Sequence, residues 1–383
     1  MSTYTLQQQA FTLAMMSGDE SGAKDTAAEL AKKLARKIHY RMKNHRVIEL
    51  IGQWKRKWGP VVWENTVPIE RTSLPPLLVP SNVADNAMYV AHNAEENVYV
   101  VAVAGTNFLS QYDWATEDLA VKNLVSWSGP GMISQGTLDG LNVLLAMTDP
   151  VSNHTLAAYL GTVSDPSIPR LVFAGHSLGG ALAPALALSL FDQLTQSGWN
   201  KNNIFVYPTA GPTPGNQDFA TAFAATFPAG AQGSNALVWN SKDLVPHAWA
   251  PTTFTANILE NLYQPDLAAS ACIKNVINLA LMDLPAQDPY IQLPNQQFTG
   301  TYKKPFDHYP DDTSKYVAQV LYQHIYAYYL QLAPELLAVR DEWDIRLFKP
   351  INPTSLDGGW LVTSLYNKEI KPLLEKYNIC TSF

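Results

Sequence analysis

The stretch Leu171-Val172-Phe173-Ala174-Gly175-His176-Ser177-Leu178-Gly179-Gly180-Ala181-Leu182 constrains this chain most. An apolar run leads into Gly-x-Ser-x-Gly, and small residues of helical character follow. The pattern predicts a strand, a tight turn and a helix, with Ser177 raised above the sheet edge at the amino end of the helix. Gly175 and Gly179 are needed because a side chain at either would collide with the neighbouring strand or helix. The helix end favours developing negative charge. Composition alone yields Gly-x-Ser-x-Gly in roughly one chain in eight of this length. The flanking strand and helix therefore carry the reading, and Ser177 becomes a candidate nucleophile in search of partners.

The surrounding chain alternates strands and helices. Met88–Ala91 and Val98–Ala104 read as adjacent strands across a polar turn, Asn93–Asn97. The elbow follows, then strands at Asn203–Tyr207 and Ala236–Asn240, with a short last strand at Gln297–Tyr302 and a helical stretch over 313–338. This rhythm predicts an α/β fold with a mostly parallel central sheet and helices on both faces. Residues 252–295 break it with apolar helical segments and no strand, and read as a cap-like insertion. The expected organisation is a basic helical extension over 1–60, a catalytic domain over 61–340 and an appendage over 341–383.

A serine hydroxyl needs a base within reach, and the base needs an acid that orients it. In elbow-bearing α/β enzymes the acid and then the histidine follow the serine. Asp243, just after the strand ending at Asn240, is the first choice for the acid. Asp218 is the alternative, better explained as a helix N-cap. Three histidines follow Asp243. His308, on the loop ahead of the 313–338 helix, is the first choice for the base. His324, in the middle of that helix, and His247, on the Asp243 loop, are the alternatives. His176 reads as a packing residue beside the nucleophile. The two oxyanion donors are expected from the backbone of Leu178 and from the loop opening at Gly105-Thr106.

The 33 acidic against 26 basic residues leave a net charge of −7, which argues against a general nucleic-acid binder. Residues 24–57 run against this balance, with eleven Lys and Arg against three acids, a net of +8. Leu30, Leu34, Ile38 and Met42 recur every four residues there, the pattern of an amphipathic basic helix. Docking on the acidic body is the first reading of that helix, and contact with an anionic lipid interface the second. Cys272 and Cys380 permit one disulfide but no disulfide framework, and read as two thiols. No metal-ligand spacing occurs, and neither a metal nor an organic cofactor is expected. No run of 18 apolar residues predicts a membrane span, and the N-terminus lacks the basic and apolar regions of a secretory signal. Compartment is open, with a cytoplasmic or non-classically exported protein as the expectation.

Four segments together resemble the class 3 lipase family, in family order and spacing over roughly residues 88–250. They are Ala104-Gly105-Thr106 with Trp114 and Asp118-Leu119, then Gly175–Ala181, then Thr209–Pro212 with Pro214–Asn216 and Phe219-Ala220, and finally Asn240 with Asp243 and Val245-Pro246. The resemblance implies an α/β-hydrolase fold and hydrolysis of carboxylic esters, acylglycerols first among them. It implies a triad of Ser177, Asp243 and His308, an oxyanion donor at Thr106 and a mobile lid at Phe108–Asp118. A short-chain carboxylesterase, a phospholipase A or a feruloyl-type esterase would share the chemistry. A non-catalytic lipid-binding scaffold is the reading from another class.

Overall fold

The computed structural model describes residues 2–21, 23, 25–65, 83–105, 121–230, 233–282, 284–285, 289–303 and 311–339. In chain order the first elements are α1 (Leu6–Ser17), α2 (Ala27–Lys43), α3 (His45–Ile51), β1 (Lys55–Asn65), β2 (Val83–Asn93), β3 (Val98–Val103), β4 (Leu124–Ser126), β5 (Met132–Ser134), α4 (Gln135–Ala146) and α5 (Leu156–Leu160). There follow β6 (Arg170–His176), α6 (Leu178–Gln196), β7 (Ile204–Thr209), α7 (Gln217–Thr226), β8 (Val238–Asn240), α8 (Leu244–His247), α9 (Ala256–Glu260) and α10 (Ala271–Met282). Last come β9 (Gln296–Phe298), α11 (Asp312–Leu321), a π-helical turn (Tyr322–Tyr326), α12 (Ala327–Leu332) and α13 (Pro334–Ala338). The chain divides into two compact units, Met1–Phe108 with Asp139–Pro208, and Leu109–Leu138 with Thr209–Phe383.

The first unit is built on strands in the order β1-β2-β3-β6-β7. β1, β2 and β3 form an antiparallel meander, and β3 then pairs with β6 in parallel, from Val98↔Arg170 to Val103↔Gly175. β3 and β6 are apolar almost throughout and buried, the composition of strands covered on both faces. β1 is a strand that the prolines after Gly59 conceal. It sits at the sheet edge, where a missing N–H is tolerated, and its pairing slips between Trp58 and Val61, around Pro60. Residues 55–60 are therefore strand and not helix.

Three helices precede that strand. α1 and α2 begin with hydroxyl caps: Thr5 accepts from the Gln8 N–H and Thr26 from the Glu29 N–H. α2 carries Leu30, Leu34, Ile38 and Met42 on its buried face and packs on β1. Its cations divide by direction. Lys32 and Lys33 pair at the surface with Glu29 and Asp25. Lys37 pairs with Glu20 at 2.6 Å, and Arg41 makes a buried ion pair with Asp19. Burial pushes the Asp19 carboxyl above its ordinary value, against the pull of the Arg41 and Lys37 charges. α6 is long and apolar enough to cross a membrane by length and composition, but 67% of that window is buried inside the protein, as in a core helix.

In the second unit β8 pairs in parallel with Thr209, the last residue of β7, and with β9. β4 and β5 make a small antiparallel pair. Residues 252–295 contain α9 and α10, and α11 runs through the π-helical turn into α12. Cys272, on α10, is disulfide-bonded, contrary to the expectation of two thiols; Cys380 lies outside the described residues, as do 341–383.

The Asp19–Arg41 pair generates a stability prediction. Replacing Arg41 with Ala strands a buried carboxylate, and loss of one partner of such a pair costs about 3 kcal/mol or more. The urea midpoint of Arg41→Ala is expected to fall accordingly, while Lys32→Ala, at an exposed pair, changes it little. Equal midpoints for wild type and Arg41→Ala would show that the pair contributes nothing.

Candidate active site

The elbow lies wholly in the first unit. β6 brings Gly175 opposite Val103, and the chain then turns at Ser177 with φ 63° and ψ −127°. A positive φ is strained for a residue with a side chain, and such strain persists only where the surroundings impose it. Here they do. A Cβ on Gly175 would lie 2.0 Å from the Gly179 carbonyl oxygen, and one on Gly179 would lie 2.4 Å from the Val103 carbonyl oxygen. Strand, turn and helix are thus in backbone contact on both sides of the serine. Ser177 is 4% exposed, and its carbonyl accepts from the Gly180 N–H at 2.7 Å. Leu178 opens α6, where backbone N–H groups lack helical partners. The His176 ring meets the edge of Phe11, in keeping with a packing role. Thr106 and the lid-like stretch Phe108–Asp118 lie outside the described residues.

Asp243, the candidate acid, belongs to the second unit. β8 ends at Asn240, and Asp243 follows with no exposed surface. A buried carboxylate is stable only with donors around it. Asp243 receives the Val245 N–H on Oδ1 at 3.1 Å, as the cap of α8. The Tyr328 hydroxyl donates to its Oδ2 at 3.0 Å. His324 Nδ1 reaches Oδ2 at 2.8 Å and Oδ1 at 3.1 Å. Burial, and then the Asp243 charge, hold the Tyr328 phenol well above its ordinary range, so it stays a donor.

The histidine at the acid is therefore His324, the alternative of the sequence reading. His308, the first choice, lies outside the described residues. His324 sits in the π-helical turn and is buried. Such turns interrupt α-helices at functional sites disproportionately. Tyr328 follows His324 by four residues, so the two reach the same carboxylate from successive turns. The sequence signal that could have found them is this His-x-x-x-Tyr spacing on one helix.

Asn240 ties the turn to the strand. Its Nδ2 donates to the Gln323 carbonyl at 3.0 Å and to Gln323 Oε1 at 2.8 Å. Its Oδ1 accepts from the N–H groups of Lys242 and Gly300, and its own N–H donates to the Tyr328 hydroxyl oxygen. Gln323 Nε2 continues to the Thr301 carbonyl. His247 is turned elsewhere: its Nε2 meets the Ser241 carbonyl at 3.0 Å and its ring packs on Trp239. Burial holds it below the ordinary imidazole value, so it is neutral at pH 7. Asp218 stands in the first turn of α7, but the cap is Asn216, whose side chain accepts from the Phe219 N–H. Among the described residues no group of three or more His, Cys, Asp or Glu could hold a metal ion.

Residues 100–253 match the family described as Lipase (class 3). A lipase of Rhizomucor miehei is 25% identical over 162 residues, 42% of this chain and 40% of that protein. The chain thus spans less than half the length of that relative. The crystal structure of M37 lipase superposes with a TM-score of 0.71 at 24% identity, covering 95% of this chain and 100% of that one. At that identity the likeness is one of fold, and the fold is that of the α/β-hydrolases. The segment that matches the class 3 lipase family contains both the elbow and the loop of Asp243.

Proposed function

We propose that this protein is a serine hydrolase of carboxylic esters and that its substrates are acylglycerols. The observation that carries the reading is the buried Asp243–His324 pair in a chain whose Ser177 stands on a strained strand-to-helix turn. In this reading Ser177 Oγ attacks the ester carbonyl carbon. His324, held through Nδ1 by Asp243, takes the serine proton on Nε2 and returns it to the leaving alcohol. Asp243 fixes the tautomer and stabilises the imidazolium. Water then cleaves the acyl-enzyme by the same route in reverse. The N–H groups of Leu178 and Thr106 receive the oxyanion, and one such donor contributes about 3 kcal/mol in the transition state.

The lipase activity of the family relatives and the apolar helices α9 and α10 support an acylglycerol substrate. Exposed basic residues of α2, Arg36 and Lys43 among them, support transient contact with an anionic lipid interface. The first test is hydrolysis of p-nitrophenyl esters from acetate to palmitate by wild type and Ser177→Ala. Long-chain hydrolysis that vanishes in the variant, together with loss of fluorophosphonate labelling, is the expected result. Hydrolysis confined to acetate and butyrate would instead make the protein a short-chain esterase. Equal activity in both proteins would remove Ser177 from the mechanism.

The base is tested by a pair of variants. His324→Ala should lower kcat by about 10³-fold or more, since members of such a triad act as a unit. His308→Ala should stay within a few-fold of wild type. The opposite pattern would return the base to His308 and leave His324 a structural partner of Asp243.

A further inference from the structure

The turn that bears His324 has a partner outside its own helix. At the exit of the turn the Ala327 N–H donates to the Tyr322 carbonyl, five residues back. In an α-helix the same N–H would serve the Gln323 carbonyl, four residues back. The wider turn takes that donor away, and a buried carbonyl that loses its donor calls for another. Asn240 supplies one. Its Nδ2 lies 3.0 Å from the Gln323 carbonyl oxygen and 2.8 Å from Gln323 Oε1. Neither residue has any exposed surface, so water does not compete for these bonds.

Asn240 also grips the loop of Asp243. Its carbonyl accepts the Asp243 N–H at 2.9 Å, and its Oδ1 accepts the Lys242 N–H at 3.0 Å and the Gly300 N–H at 2.8 Å. The amide nitrogen has two N–H groups and finds two acceptors; the amide oxygen finds two donors. One side chain thus fixes the Asp243 loop and the residue before His324 to the same point. Gly300 admits this arrangement, since a Cβ there would lie 2.1 Å from Gln323 Oε1 and 2.7 Å from Asn240 Nδ2. An α-helical bond from Ala327 to Gln323 would compete with Asn240 for the carbonyl. His324 lies between those two residues, so the choice of register sets the direction of its ring.

We propose that Asn240 is a positioning residue for the catalytic base: by binding the Gln323 carbonyl it holds the turn in its wide register, the one in which His324 Nδ1 meets Asp243. This rests on the reading of His324 as the base. Asn240 touches no reacting atom; it acts through the backbone beside the imidazole, and through the loop that carries the carboxylate.

The test uses the full chain with Asn240→Ser, Asn240→Leu, Gln319→Met and His324→Ala, assayed on one p-nitrophenyl ester below the thermal midpoint of each. Serine keeps an oxygen for the Asp243 loop but is too short to reach Gln323. Gln319 is the control: it is buried on the same helix one turn before Gln323, where its Nε2 donates to the Lys303 carbonyl. The second readout is the far-downfield proton resonance of the His324 Nδ1–H on Asp243, assigned by its loss in His324→Ala. Both Asn240 variants should lower kcat roughly 5- to 100-fold, the span set by one unsatisfied buried carbonyl, with KM unchanged and the resonance moved upfield. Gln319→Met should lower the midpoint and leave kcat and the resonance as in wild type. Wild-type kcat and resonance in Asn240→Ser, beside an inactive His324→Ala, would overturn this proposal alone. So would losses of equal size in Gln319→Met, which would make Asn240 an ordinary structural residue. Wild-type kcat in His324→Ala would overturn the reading of the base, and this proposal with it.

Discussion

A carboxylate with no exposed surface has to be surrounded by donors, and Asp243 organises its unit around that need. Its donors come from the loop that carries it and from a helix about 80 residues away in sequence. The strand behind it is drawn in as well. The Asn240 side chain and N–H satisfy Gln323, Gly300 and Tyr328 at once, so the end of β8, the residues after β9 and the long helix share one hydrogen-bonded network. Every member has its partner inside the protein, the condition under which a buried polar network specifies a single arrangement.

The elbow solves a different problem with backbone alone. No side-chain hydrogen bond caps α6 at Ser177. What holds the serine at positive φ is the absence of Cβ atoms at Gly175 and Gly179, which lets two strands and a helix close on the turn. The strain is local, and the strand and the first turns of the helix that maintain it are buried.

The elbow was legible in the sequence because its chemistry is short-range: an apolar strand, two glycines and a helix of small residues lie within about a dozen positions. Asp243 was legible as a candidate for the same reason, as a carboxylate just past a strand end. Its partner His324 was less so: the His-x-x-x-Tyr spacing marks one helix face, but that this face meets a loop after β8 is set by tertiary packing. Loop residues are the usual carriers of chemistry, which is why His308, outside the described residues, was read first. β1 was hidden by Pro60, a residue that an edge strand with a slipped register accommodates. The cap of α7 moved from Asp218 to Asn216 because helix starts are fixed by dihedral angles that the sequence leaves open by a residue or two.

The π-helical turn over Tyr322–Tyr326 gives the helix that bears His324 two rotational phases. Upstream, Tyr316 points its hydroxyl at the Leu259 carbonyl, and downstream Tyr328 points its own at Asp243. A helix of constant pitch has one phase, so the direction of residue 316 would dictate that of residue 328. The wider turn between them uncouples the two. One end of the helix can then be shaped by the segment it packs against, and drift as that segment changes, without turning the imidazole away from its carboxylate.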